Sequence, residues 1–244
     1  MITLKAAGIM VLMFFGMIPK GDAQELHFGL KAGMNLYYLL NPQVGFSTSV
    51  AESFHGGAIL NIGFDSSNFS IQPEVLFSIN GAELSHYIYA TYSNSAANPP
   101  ITHTTSIHTN YSMNFNYLQL PILMKYHFAG AFSVTVGPYI GYLMSAKNDT
   151  SIFTSFKDTA KSASSVSFSG SMNPIETMNK LDIGGALGLN CEFSSGLGFE
   201  FRYYYGLTKT FKAHNFVDPS TGLITAQPAY GNNNNIAVSL FYLF

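Results

Sequence analysis

Tryptophan is absent from the 244 residues, cysteine occurs once, and charged side chains make up only 10% of the chain. The single thiol, Cys191, cannot close an intrachain disulfide. Lys and Arg number 11 against 13 Asp and Glu, for a formal charge of −2. They form no basic cluster, which excludes nucleic acid as a partner, because phosphate binding needs grouped cations. So little charge is poor clothing for a water-soluble surface. Beyond Ile18 no apolar run is long enough for a transmembrane helix. What the chain has instead is aromatic: 21 Phe and 15 Tyr.

At the N-terminus Lys5 precedes an apolar run, residues 6–18, followed by Pro19, Lys20, Gly21, Asp22 and Ala23. Small residues at −3 and −1 of a cut after Ala23 read as a secretory signal peptide over 1–23. The apolar run is too short to span a bilayer as a helix. No linker divides the remainder, so 24–244 is expected to be one domain. An exported chain with much apolar surface and no spanning helix points to the other solution that satisfies every backbone group in lipid, the closed β-barrel.

Period-2 alternation supports it in eight segments. In the first, Phe28, Leu30, Ala32, Met34 and Leu36 alternate with His27, Gly29, Lys31, Gly33 and Asn35. Comparable segments lie at 54–64, 69–79, 111–128, 132–145, 181–193, 197–206 and 235–244. Pro73 fits a paired strand poorly. Tyr111, Met113 and Phe115 have the opposite parity to Leu118, Leu120 and Ile122, and a β-bulge near Tyr117 would reconcile them. In the fifth segment Ser133, Thr135, Gly137, Gly141 and Ser145 are expected inward. The polar faces are Gly, Ser and Asn rather than Lys and Glu, which argues against a soluble sandwich or lipocalin-like barrel.

Each segment places an outward Phe beside a short turn or a terminus: Phe28, Phe64, Phe69, Phe128, Phe132, Phe193, Phe199 and Phe244. These are expected to form one interfacial girdle, with Phe54, Phe77, Tyr142, Tyr203 and Tyr205 near the other. Short connections at 65–68, 129–131 and 194–196 alternate with long polar ones near 38–52, 81–110, 147–177 and 208–233. The expected fold is therefore all-β, an eight-stranded antiparallel up-and-down transmembrane barrel. Its short turns face the periplasm and its long loops face outward. A barrel this small has an interior filled by side chains, so an open diffusion pore is not expected.

Five stretches carry a family resemblance: Phe28–Leu36 (FGLKAGMNL), Tyr117–Tyr126 (YLQLPILMKY), Gly137–Tyr142 (GPYIGY), Leu181–Gly188 (LDIGGALG) and Phe201–Leu207 (FRYYYGL). The chain resembles the PorT-type, or outer-membrane β-barrel domain, proteins of Bacteroidetes, loosely labelled a porin family. The resemblance runs over roughly 25–244 and implies a bacterial outer-membrane barrel with no shared catalytic residues. Some family members are linked to protein secretion.

Inward charges at Lys31, Glu74, Lys125, Asp182, Glu200 and Arg202 come from several segments at similar expected depth. In a narrow lumen they must pair, since an isolated buried charge is costly. They read as a structural plug of ion pairs, with a narrow ion or proton path as the alternative. His103, Ser106 and His108 are close enough in sequence to suggest a nucleophile with its base or a metal site, but no third orienting group and no zinc-type spacing accompany them. Neither cofactor nor metal is expected. Leu240, Tyr242 and Phe244 resemble the terminal signal read by the outer-membrane insertion machinery. The functional expectation is a monomeric, non-enzymatic barrel among outer-membrane lipids that binds an extracellular or envelope partner through its long loops. A small-solute channel or secretion component, and a lipid-modifying enzyme, are the other classes.

Overall fold

The computed structural model describes residues 24–42, 45–64, 67–96, 101–158, 161–217 and 224–244. The expected signal segment 1–23, and Asp65 and Ser66 of the first short turn, lie outside them. The strands are β1 (Gln24–Leu40), β2 (Phe46–Ser49), β3 (Ala51–Phe64), β4 (Phe69–Asn94), β5 (Ile101–Ala129), β6 (Phe132–Asp158), β7 (Lys161–Met172), β8 (Leu181–Glu192), β9 (Leu197–Phe211), β10 (His214–Val217), β11 (Ile224–Gln227) and β12 (Tyr230–Leu243).

Eight of these close into a ring, each antiparallel to its neighbours: β1, β3, β4, β5, β6, β8, β9, β12 and back to β1. The seam between β12 and β1 runs without a register break from Gly29↔Leu243 to Leu40↔Asn232. Closure leaves no unpaired edge around the wall, which lipid requires. The short turns after β5 and β8 contain Gly130 and Gly196 at φ +50° and +85°, where a side chain would be strained. The remaining strands extend the ring: β2 pairs with β4, β7 pairs with β6, and β10 and β11 form a separate hairpin.

Two of the expected loops are strands. Segments 81–110 and 147–177 were expected as irregular polar connections. Instead, pairing continues from the barrel to Asn94↔Ile101 between β4 and β5, to His103↔Asp158 between β5 and β6, and to Asp158↔Lys161 between β6 and β7. The strands β4, β5 and β6 therefore reach 26, 29 and 27 residues. A membrane-spanning strand needs about 10. The extra length forms an antiparallel sheet, β2-β4-β5-β6-β7, rising from one side of the rim. The physical reason is that Thr, Ile, Tyr and Val favour the pleat however polar their neighbours, and an existing hairpin is extended without a new loop closure.

Parity inside the barrel also departs from expectation. Tyr111, Met113 and Phe115 keep the inward parity of Tyr117, Gln119, Leu123 and Lys125 with no reversal in β5. The register break near Tyr117 lies on the partner strand, where Asn116↔Ser145 is followed by Tyr117↔Leu143. Met144 is the extra residue, so Met144 and Ser145 both face outward, and Ser145 does not line the lumen as expected. The inward aromatics build an apolar cluster at the long-strand end, with Tyr37, Phe115, Tyr117, Leu143, Met178 and Phe211 each at most 4% exposed. Phe115 meets Tyr37 and Phe211 edge-on at centroid distances of 6.3 and 6.4 Å. A smaller cluster, Ile59, Phe241 and Leu243, seals the short-turn end. At Gly198 a Cβ would stand 2.2 Å from Phe241 Cζ, so glycine there lets the ring lie against the strand.

Candidate functional site

Between the two apolar clusters sits a charged centre. Lys31 on β1, Glu74 on β4, and Glu200 and Arg202 on β9 all point inward and are at most 3% exposed. Lys31 Nζ lies 2.9 Å from Glu74 Oε1 and 2.8 Å from Glu200 Oε1. Arg202 donates through Nη1 and Nη2 to the two oxygens of Glu74, both at 2.8 Å, and through Nη2 to Glu200. Gln72 donates to Glu74 at 2.6 Å, and Arg202 Nη1 to Tyr204 Oη at 2.9 Å. Two cations and two anions alternate, so each carboxylate is shared by both cations and the set is neutral. That arrangement offsets the desolvation of four charges.

The other two expected members of this network lie elsewhere. Lys125 pairs with Glu192 at 2.5 Å and sits 5.7 Å from the centre of the Phe241 ring, nearer the short turns. Asp182 accepts from Tyr139 Oη and Thr208 Oγ1, each at 3.0 Å. Register explains the separation. Lys125 is opposite Ser70, four residues from Glu74, while Asp182 is six residues along β8 from Gly188, the partner of Arg202. Six residues of strand are about 20 Å. The six charges are thus a tetrad flanked by two separate contacts, rather than one plug.

The Asn232–Asn235 run at the start of β12 is buried throughout. Pairing between β12 and β9 slips between Asn232 and Asn234. Asn232 Nδ2 fills the gap, 3.1, 3.3 and 3.2 Å from the carbonyls of Gly206, Leu207 and Thr208. Asn233 accepts from Tyr37 Oη and Thr210 Oγ1 and donates to Tyr117 Oη at 3.2 Å. His55 is likewise built in, its Nδ1 2.8 Å from Asn35 Oδ1 and its Nε2 2.9 Å from Ser239 Oγ. A polar run next to a strand is the one signal by which the Asn ladder could have been found.

Outside the wall, Phe28, Phe64, Phe69, Phe128, Phe132, Phe193, Phe199 and Phe244 are between 40% and 69% exposed. Near the short turns rings meet in pairs: Phe128 with Phe132 at 6.4 Å, Phe193 with Phe199 at 6.2 Å, and Tyr242 with Phe244 at 5.2 Å. Phe244 N donates to Phe28 O at 2.7 Å, so the last residue is tied to the first strand. Leu240 and Tyr242 are also outward and exposed.

The sheet beyond the rim has two different faces. On the outward one, cross-strand rows follow one another: Glu83, Ser112, Asp149 and Ser171, then Ser85, Asn110, Ser151 and Ser169, then Tyr87, His108, Phe153 and Ser167. An open cleft of about 730 Å³ lies over the first two rows. Lys147 donates to Asp149 at 2.8 Å, which together with Ser171 holds the Asp149 carboxyl below its usual range. Tyr87 and His108 stack at 3.9 Å with 10° between their planes. The opposite face carries Ile88, Ile107, Thr154 and Val166 in one row. His103 belongs to that second face, because it is an odd number of residues from both Ser106 and His108. Strand alternation therefore separates His103 from Ser106 and His108, which share the outward face two residues apart. Among the described residues no three His, Cys, Asp or Glu side chains are grouped to hold a metal ion.

Residues 22–212 match the family model for the outer membrane protein β-barrel domain. No curated protein matches the chain. Among solved structures, Ail, the attachment invasion locus protein of Yersinia pestis, is similar at 8% identity, with 92% of this chain and 100% of that one covered and a TM-score of 0.40. The outer membrane protease OmpT from Escherichia coli is similar at 8% identity, with 92% and 98% covered and a TM-score of 0.33. Neisserial surface protein A is similar at 10% identity, with 89% and 97% covered and a TM-score of 0.29.

Proposed function

The chain belongs to the outer membrane protein β-barrel domain family, and on that premise we propose that it is a non-conducting barrel whose extracellular sheet binds an envelope or extracellular partner. The observation that carries this reading is a contrast between the two halves of the molecule. Inside the barrel an apolar seal, a neutral ion tetrad and an aromatic cluster follow one another along the lumen. Meanwhile β4, β5 and β6 spend well over half their length beyond what a bilayer requires. A solute path would need the first to be open, and an inert anchor would not need the second.

In this reading the first 23 residues direct export and are removed after Ala23, and the protein is a monomer of PorT-type kinship within Bacteroidetes. The Phe girdle contacts outer-membrane lipid near the periplasmic side. Leu240, Tyr242 and Phe244 present the pattern taken up by the insertion machinery. No catalytic role is assigned to any residue.

Two measurements test the proposal. Purified protein in planar bilayers is expected to leave the baseline unchanged, and steady unitary conductance would overturn the closed-barrel half. Cells carrying a trimmed protein, with Gly81 joined to Asn114 and Ala146 to Met172, are expected to keep the barrel in the membrane and lose envelope components that co-purify with the full chain. Identical co-purification from both would overturn the interaction half.

A further inference from the structure

The geometry points to a binding site for a neutral glycan in the cleft on the outward face of the extracellular sheet, an inference that rests on the interaction reading and names the chemistry of its partner. Three properties of the face select that ligand. The first is its hydrogen-bonding inventory. Ser112, Asn110 and Ser151 lie within two adjacent cross-strand rows, and Glu83 and Asp149 flank Ser112 in the lower row. Hydroxyls and amides both donate and accept while carboxylates only accept, a mixture matched by a ligand whose own groups are hydroxyls on adjacent carbons. Rows repeat across strands at about 4.8 Å, so a chain of sugar units can be met by successive strands.

The second property is the aromatic border. One row further along the same face, Tyr87, His108 and Phe153 occupy three consecutive strands. Tyr87 is 59% and Phe153 48% exposed, and the stacked Tyr87 and His108 present a flat platform. A pyranose has one face of C–H bonds and a rim of hydroxyls, so it can rest that face on the rings and turn its rim to the serines and carboxylates. Tyr87 and His108 pack on each other across the strands, but the outer ring face of Tyr87 and the Phe153 ring stay open to solvent beside a polar row, where amphipathic contact would use both halves.

The third property is the sign of charge. Asp149 is paired with Lys147, which among the described residues leaves Glu83 as the charge lining the cleft without an ion pair. A carboxylate there repels sulfate and phosphate, so polyanions are disfavoured. The lower two rows carry no apolar side chain on this face, which disfavours a hydrophobic peptide. The glycan could be a free oligosaccharide or the sugar of a surrounding glycolipid, and both offer the same chemistry.

The test uses the full chain in detergent micelles, titrated calorimetrically with maltohexaose, cellohexaose and N-acetylchitohexaose, with dextran sulfate as the polyanion. A second arm uses nanodiscs whose glycolipid carries or lacks its sugar core. Saturable binding of a neutral oligosaccharide in micelles is expected if the source is free, and sugar-core-dependent protection of Tyr87 from iodination in nanodiscs if the source is the membrane. Tyr87→Ala with Phe153→Ala is expected to weaken oligosaccharide binding in micelles by roughly tenfold or more, about 1.4 kcal/mol, and Phe153→Ala alone, which keeps the reporter ring, to abolish the sugar-dependent protection of Tyr87 in nanodiscs. Ile88→Ala with Val166→Ala, on the opposite face, is expected to change nothing. Absence of both signals, tighter binding of dextran sulfate, or full binding by the Tyr87 and Phe153 variant would overturn the site. Conductance in bilayers would remove the closed-barrel reading without touching these results. Sheet-dependent co-purification without sugar binding would remove only the glycan.

Discussion

Arg202 and Glu74 meet edge to edge across the lumen, Nη1 to Oε2 and Nη2 to Oε1 both at 2.8 Å, joining β9 to β4 with both side chains fully buried. A fork-to-fork pair of this kind fixes orientation as well as charge. Removing one member leaves the four-charge set with one charge in excess, and a buried uncompensated charge costs about 3–5 kcal/mol. Glu74→Gln and Arg202→Met are each expected to lower the urea midpoint of the vesicle-reconstituted protein accordingly. The combined Glu74→Met and Arg202→Met variant leaves Lys31 with Glu200 as a neutral pair, and is expected to regain most of the loss. Additive losses in the double variant would contradict the tetrad.

Gly184 and Gly185 are neighbours with opposite surroundings. A Cβ on Gly184 would stand 2.5 Å from Tyr139 Cε1, the ring whose hydroxyl holds Asp182, whereas one on Gly185 would meet nothing within 4 Å. Gly184→Ala is expected to destabilise the barrel by about 1–3 kcal/mol through overpacking, and Gly185→Ala to stay within about 0.5 kcal/mol. The comparison is internal, since both residues share a strand and a backbone state. Equal effects would show that the lumen and lipid faces of β8 are misassigned.

The wall was legible because each spanning segment must satisfy two solvents at once, and that leaves period 2 in strands such as β1 and β9. The sheet beyond the rim obeys no such rule. Both of its faces meet water, the outward one at Ser106 and Ser155 and the other at Thr105 and Thr154, so polarity alone reads those residues as loop, although Ile88, Ile107 and Val166 mark one face at strand spacing. The tetrad was only partly legible. Parity places Lys125 and Asp182 inside, yet their depth depends on stagger between strands, which no single segment records. Phe115 misled for a related reason: an inward aromatic looks like a parity error when the lumen is assumed polar, whereas this lumen is apolar at that height.

Ser112 and Met113 are adjacent in β5 but face opposite ways, one exposed and one 8% exposed inside the aromatic cluster. In a Cys191→Ser background, Ser112→Cys on intact cells is expected to react with a membrane-impermeant maleimide and Met113→Cys to remain unlabelled. The Met144 bulge gives the same contrast on β6, with Ser145→Cys reactive and Ala146→Cys protected. Reaction at Met113→Cys with none at Ser112→Cys would restore a parity reversal in β5.

Asp149 sits outside the membrane where β6 meets β7, paired in register with Ser171. The Lys147 ammonium, donating at 2.8 Å, and then the Ser171 hydroxyl keep its carboxyl below the usual range. A folded-state value below the unfolded one means that the unfolded state binds the proton first. Its contribution is therefore complete above the ordinary carboxylate range and fades as pH falls through that range and then through the depressed folded value. Both side chains are open to solvent and screened, so the effect is local fraying rather than unfolding. Amide protection at Gly170 and Ser171, followed by hydrogen exchange, is expected to decline with acidification in the wild type. Asp149→Asn should be less protected at neutral pH and flat across the same window, and 1 M salt should flatten the wild-type profile as well. A profile unchanged by Asp149→Asn would show that the junction is held by its backbone ladder alone.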